Sequence, residues 1–400
     1  MRILGIETSC DETAVCLIEA TGTFDKSFRF EVLGNALISQ TAVHAPYGGV
    51  FPNLAKREHA KNLVPLLREV CEQSNIAAGK HTDISAYRAT LIELLERETK
   101  LFELLIPFLE THGRPDIDVI AVTHGPGLEP CLWVGVNFAK ALALAWNLPI
   151  VAVNHLEGHI AMAAVSHPNT SLYNEVLGLR IEGTGFPAIA LLISGGHTEL
   201  DLVEAWPKFH TLGQTRDDAV GEAYDKVARM MGLPYPGGPE IALLASEARQ
   251  HDGFTKPVML PRPMINDETY DFSFSGLKTA VRNAIGGRSL AEVEKKQIAR
   301  EFEDAAADVL VAKTTRAAEE YGAQTVIVGG GVSANSYIKQ QLQKALDEQG
   351  VRLLVPPPEW ATDNALMISL AGYFRALNKE FADPTTLRAH GNLCLGAPSQ

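Results

Sequence analysis

Residues 3 to 19 alternate in a way that predicts a β-hairpin: an apolar strand, a polar turn carrying Thr8, Ser9, Asp11 and Glu12, and a second apolar strand. A related pattern returns at 188 to 204. At a constant offset of 185, Ser9 meets Ser194 and Thr13 meets Thr198, which points to a duplicated protein of two related lobes. Between the hairpins the period changes to that of a helix. Leu63, Val64, Leu66, Leu67 and Val70 predict a helix over 55 to 71, and Leu91, Leu94, Leu95, Leu101, Phe102, Leu105 and Leu109 predict one amphipathic helix over 85 to 110. A β-rich run from Ile117 to Val122 enters Gly125-Pro126-Gly127 ahead of a helix from Val134 to Trp146, and Ile150 to Val153 is another short buried strand. Late in the chain, Thr325 to Val328 runs into Gly329 to Asn335 and then a helix from about Ser336. Such a strand, glycine loop and helix N-terminus forms a phosphate or nucleotide cradle. Mixed hairpins, alternating strands and helices predict an α/β protein. The expected lobes are 1–149, with a helical insertion at about 75–112, and 150–400.

The 46% hydrophobic content of the 400 residues suffices for sizeable cores. Five scattered cysteines without a Cys-x-x-Cys pair argue against a disulfide framework or a thiolate zinc site and fit a reducing cytoplasm. Glu7 interrupts any apolar leader, so no signal peptide is expected. Ala141 to Val153, interrupted by Asn147 and Pro149, is too short to span a bilayer. A net charge of −13 opposes unassisted binding to a polyanion, so an RNA partner would need a local basic spot or a helper protein.

The densest chemical signal is His155-Leu-Glu-Gly-His159. On a helix, positions i and i+4 share a face, so both imidazoles can reach one metal ion. The spacing alone fits two unrelated helical histidines equally well. Glu157 lies about 200° around the helix from His155, away from the shared face, which disfavours a zinc peptidase. No Gly-x-x-x-x-Gly-Lys-Ser/Thr loop, nucleophile elbow or dinucleotide fingerprint occurs. Three small-residue turns remain, at Ser194-Gly195-Gly196, Pro236 to Pro239 and Gly329 to Asn335, with Asp217, Asp218, Asp225 and Asp363 near them in sequence. Together they suggest a nucleotide or acyl-phosphate cleft. Lys278 and Arg282, at i and i+4 beyond Asp271-Phe-Ser-Phe-Ser-Gly, read as a basic spot for phosphate.

These residues, in one order along nearly the whole chain, resemble the tRNA N(6)-adenosine threonylcarbamoyltransferase family. The matching runs include Gly5 to Glu12, Gly48 to Pro52, Arg57 to His59, His124 to Leu128, His155 to His159, Leu192 to Thr198, Gly221 to Lys226, Tyr235 to Pro239, Asp271 to Lys278, Gly330 to Asn335 and Thr362 to Asn364. The resemblance implies two lobes around a cleft, as in actin-like ATPases, acetate and sugar kinases and heat-shock chaperones. It implies one divalent metal, iron favoured and zinc as the alternative, on His155, His159 and Asp363. Leu192, Ile193, Ser194, Gly195, Gly196, Asp225, Gly238 and Asn335 would bind the adenylate of threonylcarbamoyl-AMP. The metal and adenylate sites would both lie in the second lobe, with the last helix returning to the first. The implied reaction is acyl transfer to the adenosine next to the tRNA anticodon with release of AMP. Asp11 and Glu12 are the candidates for handling the amine's proton. A paralogous two-lobe protein and a small ATPase are the implied partners.

The chain departs from the family pattern at Asn53, at Lys56 and over Glu129-Pro130-Cys131, and in the insertion. Competing readings are a small-molecule kinase or carbamoyltransferase of the same superfamily, a metallopeptidase and a non-catalytic scaffold.

Overall fold

The computed structural model describes residues 1–24, 26–76, 78–81, 83–165, 185–250 and 258–396. They divide into two compact units, Met1–His44 with Val50–Gly183 and Asp363–Gln400, and Ala45–Gly49 with Thr184–Thr362.

The first unit is built on a five-stranded sheet. The hairpin expected from the alternation is present as β1 (Arg2–Glu7) and β2 (Glu12–Thr23), extended by β3 (Lys26–Ser39). A small antiparallel pair, β4 (Ala78–His81) and β5 (Gly113–Pro115), lies outside that sheet. β6 (Val119–Gly125) and β7 (Ile150–Asn154) add in parallel, giving the order β3-β2-β1-β6-β7. Helices α1 (Thr41–His44), α2 (Pro52–Ser74), α3 (Arg88–Leu94), α4 (Thr99–Thr111), α5 (Glu129–Trp146) and α6 (His155–Val165) belong to this unit. Leucines of α2, α4 and α5 meet the aliphatic side chains of β1, β2 and β6 in one core.

The second unit repeats the plan with β8 (Ala188–Ile193), β9 (Thr198–Ala205), β10 (Lys208–Gln214), β11 (Thr325–Gly329) and β12 (Arg352–Leu354), in the order β10-β9-β8-β11-β12. Ile3 faces Ile18 and Gly5 faces Cys16 in the first hairpin; Ala188 faces Val203 and Ala190 faces Asp201 in the second. The offset of 185 therefore holds rung by rung, and the duplication suggested by the sequence is a duplication of register. Helices α7 (Val220–Met230), α8 (Gly237–Arg249), α9 (Ser275–Ile285), α10 (Glu292–Glu320), α11 (Ser336–Gln349) and α12 (Pro358–Ala361) surround this sheet. The chain then returns to the first unit as α13 (Ala365–Leu377), packed on β1 and β2.

Two expectations need correction. The boundary between the units does not fall at 149/150, because β7 is a buried parallel strand that finds its hydrogen-bond partner in β6 of the first sheet. His155 and His159 consequently lie in the first unit. The single helix over 85 to 110 is two helices, broken at 95–98. Leu95 and Leu101 are both buried, yet six residues on a continuous helix turn about 240°, so both could not face the same core. The break resets the phase. Pro107 lies inside α4.

Candidate functional site

β7 ends at Asn154, whose side-chain oxygen accepts the Leu156 N–H at 2.9 Å and starts α6 with His155 as its first residue. One turn later His159 follows on the same face, with the two rings 4.8 Å apart between centroids. Asp363 arrives from the far end of the chain. The side chain of the next residue, Asn364, caps α13 by accepting the Met367 N–H at 3.0 Å, which fixes the approach. Asp363 Oδ1 lies 3.3 Å from His155 Nε2 and 3.2 Å from His159 Nε2. Despite that distance His159 Nε2 makes no directed hydrogen bond, although it is buried. One ligand atom from each residue lies within 4.8 Å of the other two. The predicted trio is thus assembled within one unit.

Behind the trio sits Glu7, a fully buried carboxyl at the end of β1. Its Oε1 accepts the Ser9 N–H at 2.5 Å, and its Oε2 accepts from Thr123 Oγ1 at 2.5 Å and from His155 Nδ1 at 3.2 Å. Donation from Nδ1 to Glu7 fixes the ring so that Nε2 lies on the Asp363 side, where the neutral imidazole would carry its lone pair. Ser9 Oγ reaches Asp363 Oδ2 at 3.5 Å. Burial opposes the charge of His155, but the carboxylates of Asp363 and Glu7 outweigh it and raise its pKa well above the ordinary value. Burial likewise opposes ionisation of Asp363, and His155 then overrides it and holds the carboxyl well below its usual range. His159 is pushed down, chiefly by burial. The sequence marks Glu7 only as a charge closing an otherwise apolar strand.

Glu157, on the far side of α6, is fully buried and held by Arg375 of α13, with Nε and Nη2 at 2.7 and 2.6 Å from its Oε2. It is therefore engaged away from the imidazoles, as its position on the helix implied. Of the two proton-handling candidates, Glu12 accepts from Ser39 Oγ at 3.1 Å, and its pKa is pushed up to about 9 by burial and by the neighbouring Asp11 and Asp363 carboxylates. Glu12 is thereby a weaker proton acceptor near neutral pH than an ordinary carboxylate.

The remaining predicted residues lie in the second unit. Leu192 and Ile193 are buried in β8, so what they can offer a ligand is backbone. Ser194 Oγ accepts the N–H groups of Gly196 and His197 at 3.3 and 3.1 Å, and the Ser194 carbonyl accepts that of Gly221 at 3.2 Å. Gly330, at φ +88°, packs so closely that a Cβ there would stand 2.5 Å from the Ile193 oxygen. Small residues thus bring the β8–β9 turn, the start of α7 and the loop after β11 together. Asp225 Oδ1 accepts the Gly237 N–H at 2.7 Å, beside Gly238, where a Cβ would meet open space; the same is true of Gly195 and Gly196. Asn335 is committed within the fold: its oxygen caps α11 at Ile338 N, and its Nδ2 donates to Glu303 at 2.7 Å. The basic spot is half neutralised, because Lys278 Nζ sits 2.6 Å from Asp218, which also pairs with Lys226.

The sequence model of the family described as "TsaD: tRNA N6-adenosine threonylcarbamoyltransferase" matches residues 31–86 and 109–370 and passes over 87–108, within the expected insertion. A protein of that name from Thermosipho africanus is 37% identical over 98% of this chain and 99% of its own. One from Moorella thermoacetica is 39% identical over 98% and 97%, and one from Bacillus subtilis is 38% identical over 93% and 90%. Among solved structures, full-length HypF in its phosphate- and nucleotide-bound form superposes with a TM-score of 0.50 at 14% identity, over 94% of this chain and 55% of that one, a likeness of fold. With the family model covering most of its length and relatives of this identity end to end, the chain belongs to the tRNA N6-adenosine threonylcarbamoyltransferase family, a family of acyltransferase enzymes.

Proposed function

We propose that this tRNA threonylcarbamoyltransferase takes its acyl group from threonylcarbamoyl-AMP, passes it to the N(6) amine of the adenosine next to the anticodon in tRNAs reading codons that begin with A, and releases AMP. It does so with one divalent cation, iron favoured over zinc, on His155, His159 and Asp363. The observation that carries this reading is the buried trio backed by Glu7. Two imidazole nitrogens and a carboxylate oxygen form a donor set suited to iron or zinc. Separations of 3.2 and 3.3 Å suit ligands sharing one ion, for which bonds of about 2.1 Å give edges of about 3.0–3.4 Å. The undirected His159 Nε2 is the orphan such an ion would satisfy. When bound, the ion would supply Lewis-acid stabilisation of negative charge on the donor.

The amine nitrogen forms a bond to the carbamoyl carbon, the bond from that carbon to the phosphate oxygen breaks, and AMP leaves with the electron pair. Asp11 is our candidate for the proton the amine sheds. A mixed anhydride already carries a good leaving group, so orientation and charge stabilisation matter more than a strong nucleophile. The uncrowded Gly195, Gly196 and Gly238 suit close approach of the adenylate, with Asp225 and the backbone of Leu192 to Ser194 around it. The HypF structure, solved with phosphate and nucleotide, and the repeated sheet favour kinship with the actin-like ATPases, acetate and sugar kinases and heat-shock chaperones. With a charge of −13 and Lys278 tied to Asp218, productive tRNA binding would rest on partner proteins, a paralogous two-lobe protein and a small ATPase. The setting would be the cytoplasm; among the described residues no helix is long and apolar enough to cross a membrane.

The test combines the protein with partners, threonine, bicarbonate, ATP, the donor-forming synthase and unmodified tRNA, followed by nucleoside mass spectrometry. His159→Ala and Asp363→Ala should lose bound metal and modified nucleoside together. Variants that keep full metal by elemental analysis would overturn the assignment.

A further inference from the structure

Asn335 ends the loop after β11, a loop whose Gly330 packs against the Ile193 carbonyl and the Ser194 side chain. An amide offers two N–H donors and an acceptor oxygen. Here the oxygen accepts the Ile338 N–H at 3.0 Å, and one N–H of Nδ2 goes to Glu303 Oε1 at 2.7 Å. Among the described residues the second N–H has no partner, and Asn335 is only half-buried, so this is the donor left for a ligand. An amide turned end over end would present an oxygen there instead.

Two partners oppose that turn. The Ile338 N–H requires the oxygen. Glu303, fully buried on α10, requires the nitrogen, because Arg249 at the end of α8 donates to its other oxygen at 2.6 Å and holds it as an accepting carboxylate. Burial favours the neutral acid, and the donors on both oxygens oppose it. Arg249 is itself fixed, by Asp304 at 2.5 Å and by the Tyr337 ring, whose centroid lies 3.3 Å from the guanidinium carbon.

We propose that Glu303, held by Arg249, is a positioning residue for adenylate recognition: it sets the Asn335 amide so that the free N–H, not the oxygen, meets an acceptor atom of the nucleotide. Glu303 touches no substrate itself. The inference rests on the reading of Asn335 as an adenylate contact and adds to it the buried pair that decides which end of the amide the ligand meets.

Glu303→Gln keeps the shape and reverses the logic. Arg249 can only donate, so the new amide must turn its oxygen to Arg249 and its NH2 to Asn335, donor against donor. Asn335 relieves this by turning over, which surrenders both the α11 cap and the free N–H. Replacing Arg249 as well lifts the constraint. In Glu303→Gln/Arg249→Met the new oxygen can face Asn335 and the NH2 can face the space the guanidinium left, which is partly open to water because the Arg249 side chain is 22% exposed.

The experiment is calorimetric titration of the full chain and its variants with AMP. Asn335→Ala and Glu303→Gln should each weaken binding about tenfold, the loss that goes with one ligand hydrogen bond. Adding Glu303→Gln to Asn335→Ala should change affinity by less than about threefold, since the glutamate acts through the amide. Glu303→Gln/Arg249→Met should return to within about threefold of the native affinity, whereas a merely structural glutamate predicts a further loss. Hydrogen exchange at the Ile338 amide reports the turned amide without AMP: it should quicken in Glu303→Gln and slow again when Arg249→Met is added. Native AMP affinity in Asn335→Ala, or no AMP binding by the native chain at millimolar concentration, would sink the adenylate reading and this proposal together. Weakening in Asn335→Ala with native affinity in Glu303→Gln would overturn the proposal alone. So would a double variant no tighter than Glu303→Gln, or Ile338 exchange unaltered by Glu303→Gln.

Discussion

Arg375→Met tests the buried link between α6 and the last helix. In the native protein Arg375 meets Glu157 through two nitrogens and also reaches Glu380 Oε2 at 2.9 Å, while Glu157 Oε1 has no hydrogen-bond partner. Burial raises the pKa of Glu157 even with the arginine beside it, so the pair is held under strain from desolvation. Methionine keeps much of the stem's volume and removes the charge. Breaking a buried pair on one side costs about 3–5 kcal/mol, but the carboxylate can escape by taking up a proton. From an ordinary Glu pKa of about 4.3, protonation at pH 7 costs about 3.7 kcal/mol, which caps the charge penalty. Lost packing adds to it. In the variant the folded pKa of Glu157 lies further above its unfolded value, so the folded state binds the extra proton and stability falls as pH rises above about 4.3. The destabilisation should be about 3–4 kcal/mol at pH 7 and shrink to about 1 kcal/mol at pH 5. Adding Glu157→Gln should recover most of the loss at pH 7. The assay is urea unfolding of the variants at both pH values, with hydrogen exchange of α6 amides as the local probe. A loss below about 1 kcal/mol at pH 7, or the same loss at both pH values, would refute the reasoning.

Glu7→Gln leaves His155 a weaker acceptor behind its Nδ1 and should lower metal affinity about 10–100-fold in a chelator competition, with unfolding little changed. Unchanged affinity would remove Glu7 from the site. His59 and His124 have their pKa values pushed down to about 4, mainly by burial, with the His390 charge adding to the effect at His124. A histidine depressed from about 6.5 in the unfolded chain contributes stability that is complete above that pH and lost as pH falls toward 4, up to about 3 kcal/mol each. For His59 the neutral form is set by donation from Nε2 to the Cys10 carbonyl at 3.0 Å and a contact of 2.8 Å between Nδ1 and Thr13. NMR titration of the two rings should show midpoints near 4, and midpoints near 6.5 would contradict the burial argument.

The strands and the shared face of His155 and His159 were readable because their signals are local or periodic, alternation and an i, i+4 pair, whereas Asp363 joined them through the family resemblance. What escaped depends on contacts distant in sequence. The split between α3 and α4 follows from Leu95 and Leu101 sharing a core that only folding brings to them. The unit boundary followed which strand paired with Ile150–Asn154, and no local pattern states that. Lys278 read as a free cation because Asp218, sixty residues earlier, gave no sign of reaching it. Glu7 was visible as a charge in an apolar strand, but its role needed the positions of Thr123 and His155.

The common register of the two hairpins also bears on how their chemistry diverged. Glu7 stands opposite Ala14 in the first ladder; at the equivalent rung of the second, Leu192 stands opposite Glu199. The acid has changed strands. Side chains opposite each other on an antiparallel rung emerge on the same face of the sheet. Moving the carboxyl across the ladder therefore keeps it on that face while shifting it from β1 to the partner strand, where Glu199 accepts from Thr211 at 2.8 Å. Two copies of one frame could specialise by trading residues at fixed rungs, with no backbone rearrangement. Such exchanges erase likeness between the halves of a sequence while leaving its hydrogen-bond ladder as the durable record of their shared origin.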